Sequence, residues 1–139
     1  MIISETQVRV YYEDTDQMGV VYYGNYARYY EIGRTEMIRQ LGFTYKEIEE
    51  QKIILPARSL TVNYIKSAYY DDLLTIRTIV DTIPKVKFPI KTEIYNQHGE
   101  LINKGETVLA FFNAATNKPC AAPDFFIEKL KALFKNTDS

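Results

Sequence analysis

The chain reads as an α+β domain, an antiparallel sheet combined with one long helix. Three observations predict this class. The stretch from Asn25 to Leu41 repeats with the period of a helix, the segments on either side alternate with the period of a strand, and no internal repeat, low-complexity tract or linker interrupts the 139 residues. With 46% hydrophobic and 14% aromatic residues, a single domain over residues 1–139 can build a full core, and a second domain has no room.

Taken in order, Gln7 to Glu13 alternates, with Val8, Val10 and Tyr12 on one face and Arg9, Tyr11 and Glu13 on the other, as a half-buried strand does. An acidic stretch then ends it. In the helix, Tyr26, Tyr29, Tyr30, Gly33, Met37 and Leu41 fall on one stripe. The opposite side carries Arg28, Glu31, Arg34, Glu36 and Arg39 at spacings that allow mutual pairing. Asn25 suits the N-cap and Gly42 the position just past the C-cap. Gly33 inside the apolar stripe costs about 1 kcal/mol of helix propensity relative to Ala. A close approach of helix backbone to sheet would explain its presence.

A short helical turn over Tyr45 to Glu50 precedes a run of four strands. Leu60, Val62 and Tyr64 mark the first, Leu74, Ile76, Thr78 and Val80 the second, and Val86, Phe88, Ile90, Thr92 and Ile94 the third. The fourth, Leu101 to Asn113, is apolar on both faces towards its end, which predicts a central position. Gln97 to Glu100 is a turn in which Gly99 supplies a permissive φ. Pro89 cannot donate to a ladder, so an edge or a bulge is expected there. Asp124 opens an amphipathic C-terminal helix with Phe126, Ile127, Leu130, Leu133 and Phe134 inward; packing on the sheet is the favoured reading and membrane contact the other.

Seventeen Lys and Arg against 18 Asp and Glu leave a net charge of −1, so no global field draws the chain to nucleic acid or to an acidic membrane surface. The start, MIISETQVRV, lacks the pattern of a signal peptide, and no run of about 18 apolar residues occurs. A cytoplasmic protein without stable membrane insertion is expected. The single cysteine, Cys120, excludes an intrachain disulfide and a cysteine-cluster metal site. It has no partner histidine in the pattern, and the single histidine, His98, lies in the Gln97–Glu100 turn, a surface position. No Gly-x-Ser-x-Gly elbow, phosphate loop or histidine-rich spacing is present, so neither metal nor cofactor is expected.

The stretch "YEDTDQMGVVYYGNY", Tyr12 to Tyr26, concentrates acids where a strand gives way to an aromatic-rich helix. Tyr12-Glu13-Asp14-Thr15-Asp16, then Gly19-Val20-Val21-Tyr22-Tyr23 and Asn25-Tyr26, running into Glu31 and Arg34-Thr35-Glu36, resembles the signature of the hotdog-fold acyl-CoA thioesterases of the hydroxybenzoyl-CoA thioesterase type. Arg58 to Asp72 resembles the second strand of that family and its following turn. The resemblance implies a hotdog fold, in which the antiparallel sheet wraps around one long central helix, and it implies hydrolysis of acyl-CoA to free acid and CoA.

The same resemblance implies that Asp16 faces the thioester at a subunit interface, as nucleophile or as general base towards water. Tyr23 aligns with the residue whose backbone N–H polarises the thioester carbonyl, which makes Tyr23 and Gly24 the candidate oxyanion site. Many relatives carry histidine at this place, and tyrosine removes one acid/base group while leaving the backbone donor. A thioester has a good leaving group, so an oxygen nucleophile at attack distance and donors for the developing oxyanion suffice. Glu13 and Asp14 are read as caps or loop solvators. Glu31 is either a second carboxylate at the site or a helix-surface partner of Arg28 or Arg34.

A CoA thioester also needs cations at the mouth of its slot. Lys66, Lys85 and Lys87 are the candidate phosphate ligands, with Lys91 sharing a strand face with Lys85 and Lys87 and with Arg58 flanking another strand; a solvated lysine face is the other reading. Expected partners are acyl-CoA or an acyl carrier protein and further copies of the chain, as a homodimer or homotetramer. A noncatalytic module that binds acyl groups or acyl carrier protein is the alternative function. The acyl group itself is not legible.

Overall fold

The computed structural model describes residues 1–138. The first strand, β1 (Ile2–Arg9), is followed by two 3-10 turns, Tyr12–Asp14 and Tyr23–Asn25, and by the long helix α1 (Tyr26–Gln40). After α2 (Tyr45–Glu50) come β2 (Ile53–Ile54), β3 (Ala57–Tyr64), β4 (Leu73–Val80), β5 (Lys87–Tyr95), β6 (Leu101–Ala110), β7 (Phe112–Asn113), β8 (Lys118–Pro119) and helix α3 (Asp124–Asp138). Five strands form one antiparallel sheet in the order β1-β4-β5-β6-β3, and β2-β7-β8 form a small second sheet. Helix α1 packs in the curve of the main sheet, the hotdog arrangement that the motif implies.

The predicted stripe of α1 is buried throughout, from Tyr26 to Leu41. At Gly33 the helix backbone approaches the sheet closely: a Cβ there would sit 2.6 Å from Ile76 Cγ2 and 2.6 Å from Thr78 Oγ1. Beneath it a row of small and hydroxyl residues crosses the sheet, Ser4 opposite Thr78, Thr78 opposite Thr92, and Thr92 opposite Gly105. This row divides the interior. On one side Tyr26, Tyr29 and Tyr30 pack with Leu74, Ile76, Ile94 and Ile102. On the other, Met37, Ile38 and Leu41 pack with Val80, Phe88, Leu109 and Phe111, and α3 closes this half with Phe126 and Leu130. The helix ends as expected: Gly42 takes φ +97, its N–H donates to Arg39 O and that of Phe43 to Ile38 O.

Several boundaries differ from the sequence reading, each for a tertiary reason. The first strand spans Ile2–Arg9 instead of Gln7 to Glu13, because its partner β4 begins at Leu73, opposite Arg9; Val10 N–H to Asp72 O and Asp71 N–H to Val10 O close the pairing, and the chain then enters the Tyr12–Asp14 turn. Tyr12, expected inward, is exposed on a 3-10 turn. Asn25 makes no cap hydrogen bond; the Tyr23–Asn25 turn precedes α1, and the Asn25 side chain turns to another acceptor. The strand expected from Leu101 to Asn113 breaks at Phe111, whose buried ring moves the chain from β6 to β7.

Pro89 sits in an interior strand, contrary to the expected edge or bulge. The sheet tolerates it because the β4–β5 ladder stops at the Ile79–Lys91 pair, so β5 has only β6 beside it at Pro89. On α1, the expected charge pairing is confirmed for Arg39 with Glu36, whereas Arg28 pairs outside the helix with Asp14. Leu60 and Tyr64 are 45% and 55% exposed, because β3 is an edge strand that pairs only with β6 among the described residues. No helix is long and apolar enough to cross a membrane among the described residues.

Candidate active site

The acidic stretch forms a tight hairpin. Tyr22 N–H donates to Asp14 O at 2.9 Å, Thr15 bridges Val21, and Asp16 N–H donates to Val20 O at 2.9 Å. Gly19, at φ +78, closes the turn by donating to Asp16 O at 3.0 Å. That backbone conformation favours glycine, which is why the glycine falls three residues after the aspartate. Within the turn, Met18 N–H donates to Asp16 Oδ1 at 2.8 Å. Oδ2 has no hydrogen-bond partner among the described residues, so one carboxylate oxygen is tied down and the other is free.

Asp16 lines an open cleft of about 320 Å³ together with Met18, Val20, Tyr23, Tyr26, Tyr64 and Lys66. Tyr23 and Gly24 open the 3-10 turn, so their N–H groups have no acceptor within the helix. The Tyr64 hydroxyl donates to Tyr23 O at 3.2 Å, and its ring meets those of Tyr23 and Tyr26 edge-on. A Cβ at Gly24 would lie 2.6 Å from the ring of Tyr22, an exposed side chain that a larger residue there would have to displace. Burial pushes the Tyr26 hydroxyl up to about 12, partly offset by a hydrogen bond from the Ala68 backbone, so the cleft wall there stays a neutral phenol at physiological pH.

Asp14 behaves differently from Asp16. It is 6% exposed; its Oδ2 accepts Tyr11 N–H at 2.9 Å and its Oδ1 meets Arg28 Nη1 at 3.3 Å. Its carbonyl accepts both Tyr22 N–H and Asn25 Nδ2. Beside it the Tyr29 hydroxyl is pushed up, first by burial and then by the Asp14 charge. The capping role expected of Asp14 is the one observed.

Of the candidate residues, Asp16, Tyr23 and Lys66 share the cleft, and Gly24 adjoins it in the turn that carries Tyr23. Lys66 is ion-paired with Glu100, which Asn96 Nδ2 also holds at 3.0 Å. The Lys66 hydrogen bond first and the Asn96 one second keep the Glu100 carboxyl below its usual range. Lys87 lies elsewhere in the same chain, in a trough of about 600 Å³ with Arg58, Pro89 and Phe112, on the sheet face away from α1. Arg58 stacks over the Phe112 ring at 5.5 Å. Lys85 precedes β5, and Lys91 pairs with Asp81. Glu31 is exposed on α1 outside the cleft lining, and His98 is exposed in its turn. Sequence reasoning missed Tyr64 and Met18 at the site. Tyr64 carries only the alternation of a strand, and Met18 is an apolar residue in a loop, so neither has a local signal.

The family model described as "Thioesterase-like superfamily" matches residues 10–130. The acyl-CoA thioester hydrolase YbgC of Escherichia coli O6:H1 is 34% identical over 124 residues, covering 89% of this chain and 92% of its own. The acyl-CoA thioesterase YbgC of Helicobacter pylori (strain 26695) is 34% identical over 136 residues, covering 90% of this chain and 98% of its own. Among solved structures, a DHNA-CoA thioesterase from Staphylococcus aureus superposes with a TM-score of 0.89 at 36% identity, over 100% of this chain and 97% of that one. With the family model matching residues 10–130 and a relative 34% identical over 89% of the chain, the chain belongs to the thioesterase-like superfamily.

Proposed function

We propose that this chain hydrolyses acyl-CoA thioesters, with Asp16 as the reacting carboxylate and the amides of Tyr23 and Gly24 as donors to the thioester oxygen. The observation that carries the reading is the free Oδ2 of Asp16, in the same cleft as the turn whose amides lack acceptors. The Met18 amide holds the other oxygen, so the carboxylate is oriented before substrate arrives. As nucleophile, Oδ2 would add to the thioester carbon; collapse would expel CoA thiolate and leave a mixed anhydride that water cleaves, regenerating Asp16. As general base, Asp16 would take a proton from the attacking water and pass it to the departing thiolate. Both routes place negative charge on the carbonyl oxygen, where preorganised amides stabilise it.

Lys66, Lys85 and Lys87 are the proposed phosphate ligands, and their separation within one chain has a geometric resolution. The outer edge of β3 is unpaired among the described residues and exposes Leu60 and Tyr64. A second copy would complete this edge. Two-fold antiparallel pairing would bring the Ala57 end of one β3 beside the Tyr64 end of the other. The Arg58 and Lys87 trough of one copy would then approach the Asp16 cleft of its partner, in a homodimer or a dimer of dimers.

Thiol release from short, branched, aromatic and long acyl-CoA by the purified chain tests the reading, with acyl carrier protein thioesters run beside them. Asp16→Asn preserves the acceptor for Met18 N–H, so it should keep fold and substrate affinity yet lose roughly 10²- to 10⁴-fold in turnover. Parental turnover in that variant sinks the mechanism. Binding of acyl-CoA without thiol release would instead identify a noncatalytic acyl-binding module.

A further inference from the structure

We infer that Asn25 is a positioning residue: by donating from Nδ2 to the Asp14 carbonyl, it holds the amide-bearing turn at a set distance from the Asp16 carboxylate. The inference rests on the function proposed above.

The Asp14 carbonyl accepts Tyr22 N–H at 2.9 Å and Asn25 Nδ2 at 2.8 Å, which uses both of its lone pairs. Tyr22 is the residue before the turn and Asn25 the last residue within it, so the two bonds bracket Tyr23 and Gly24. On the acid side, Asp14 is two positions from Asp16 in a hairpin pinned at Asp14–Tyr22, Thr15–Val21 and Asp16–Val20. The acceptor therefore belongs to a rigid piece that carries the carboxylate. The donor belongs to the piece that carries the amides.

A capping role does not account for this bond. The Asn25 side chain accepts nothing from α1, and no side-chain cap bond is made by Tyr22 for the 3-10 turn either. An acceptor carbonyl demands the N–H₂ end of the amide, so the required feature is a donor and not merely a polar group of this size. A second tether, Arg28 to Asp14 Oδ1 at 3.3 Å, joins α1 to the same residue through its side chain. It leaves the turn itself unattached. Without the Asn25 side chain, the Tyr23–Gly24 segment would be joined to the hairpin by the Tyr22–Asp14 backbone bond on one flank and through α1 by the Arg28–Asp14 pair beyond the other, while the Tyr64 contact ties it to β3 and not to the hairpin.

The test measures kcat, KM for acyl-CoA and melting temperature for Asn25→Ala, alone and combined with Asp16→Asn, using a substrate that the parent turns over. Misplacement of a reacting group by an ångström costs as much as 10²-fold, so Asn25→Ala should lose roughly 10- to 100-fold in kcat. KM should stay within about twofold, because the substrate anchors are untouched. In the Asp16→Asn background the further loss should be less than about twofold, since there is no carboxylate left to position. Asn25→Asp, which keeps the shape but has no N–H to donate and turns a carboxylate towards the Asp14 carbonyl, should lose at least as much kcat as Asn25→Ala and serves if the alanine variant fails to fold.

Parental kcat in a folded Asn25 variant overturns the inference. So does an equal loss in both backgrounds, the mark of a purely structural contribution. Parental turnover in Asp16→Asn alone removes the mechanism and this inference with it, whereas parental turnover in Asn25→Ala removes only the inference.

Discussion

Asp14 and Asp16 differ by one intervening residue, yet their surroundings sort them into different work. Asp14 is buried and uses both carboxylate oxygens, one on Tyr11 N–H and one on Arg28. Asp16 keeps an oxygen free beside a cleft. The lysines invite the same question. Lys66 is held by Glu100 at the cleft, while Lys87 lies beside Arg58 in a separate trough. Rim charges of this kind contribute about 0.2–1 kcal/mol each. Replacing Lys66, Lys85 and Lys87 together by alanine should therefore raise KM by roughly tenfold with kcat near parental, because a distant anchor binds ground and transition states alike. Added salt should imitate the substitutions. Steady-state kinetics at several ionic strengths checks this, and an unchanged KM assigns these lysines to the solvated face.

Among the elements, α1 shows most directly how packing overrides local preference. Gly33 lowers helix propensity, yet its missing side chain lets the helix rest on Ile76 and Thr78. Alanine would recover about 1 kcal/mol of propensity. Its methyl group would meet two atoms at 2.6 Å, well inside contact distance, and neither belongs to a long flexible side chain. Overpacking costs about 1–3 kcal/mol, so Gly33→Ala should lower stability on balance and reduce the melting temperature by several degrees. A thermal melt decides it; a rise in melting temperature would show that the helix backs away from the sheet without penalty. Pro89 illustrates the same hierarchy within the sheet: an interior strand accepts it because the neighbouring ladder ends two residues short.

At the scale of the whole molecule, the hydroxyl row under Gly33 leaves two cores, and the one nearer the site is built on tyrosine. Tyr26, Tyr29 and Tyr30 are 3%, 1% and 0% exposed, and burial raises all three hydroxyls above the ordinary value of 10.0, Tyr26 to about 12. A raised folded-state value means that the unfolded chain loses protons first. The stability these phenols contribute is complete below pH 10 and is lost as pH climbs from there through the folded-state values. Each buried phenol removes about 1.4 kcal/mol per pH unit in that window, so three remove about 4. Against a domain stability of about 5–15 kcal/mol, cooperative unfolding is expected one to a few pH units above 10 at ordinary temperature. Phenolate absorbance followed alongside circular dichroism checks it. Tyr26, Tyr29 and Tyr30 should ionise only together with loss of structure. Titration of all 12 tyrosines with the fold intact would contradict the account.

The sequence by itself determined what period and short spacing can encode. The stripe from Tyr26 to Leu41, the Gly42 stop, the run of strands after Ala57 and the Asp16–Gly19 turn are all written within a few residues of one another, because helices, strands and turns are local geometries. Through the motif that holds Asp16 and Tyr23, the family was legible as well. Only the tertiary structure decided what depends on partners far along the chain. The end of β1 at Arg9 waits on where β4 begins, and Pro89 is accommodated by the same strand's far end. Lys66 meets Glu100 across 34 residues, and Tyr64 reaches Tyr23 across 41. In the sequence Asn25 reads as a cap because asparagine is favoured just before a helix. Its true acceptor, the Asp14 carbonyl, comes within reach only after the hairpin folds back on the start of α1, a contact that no residue pattern records.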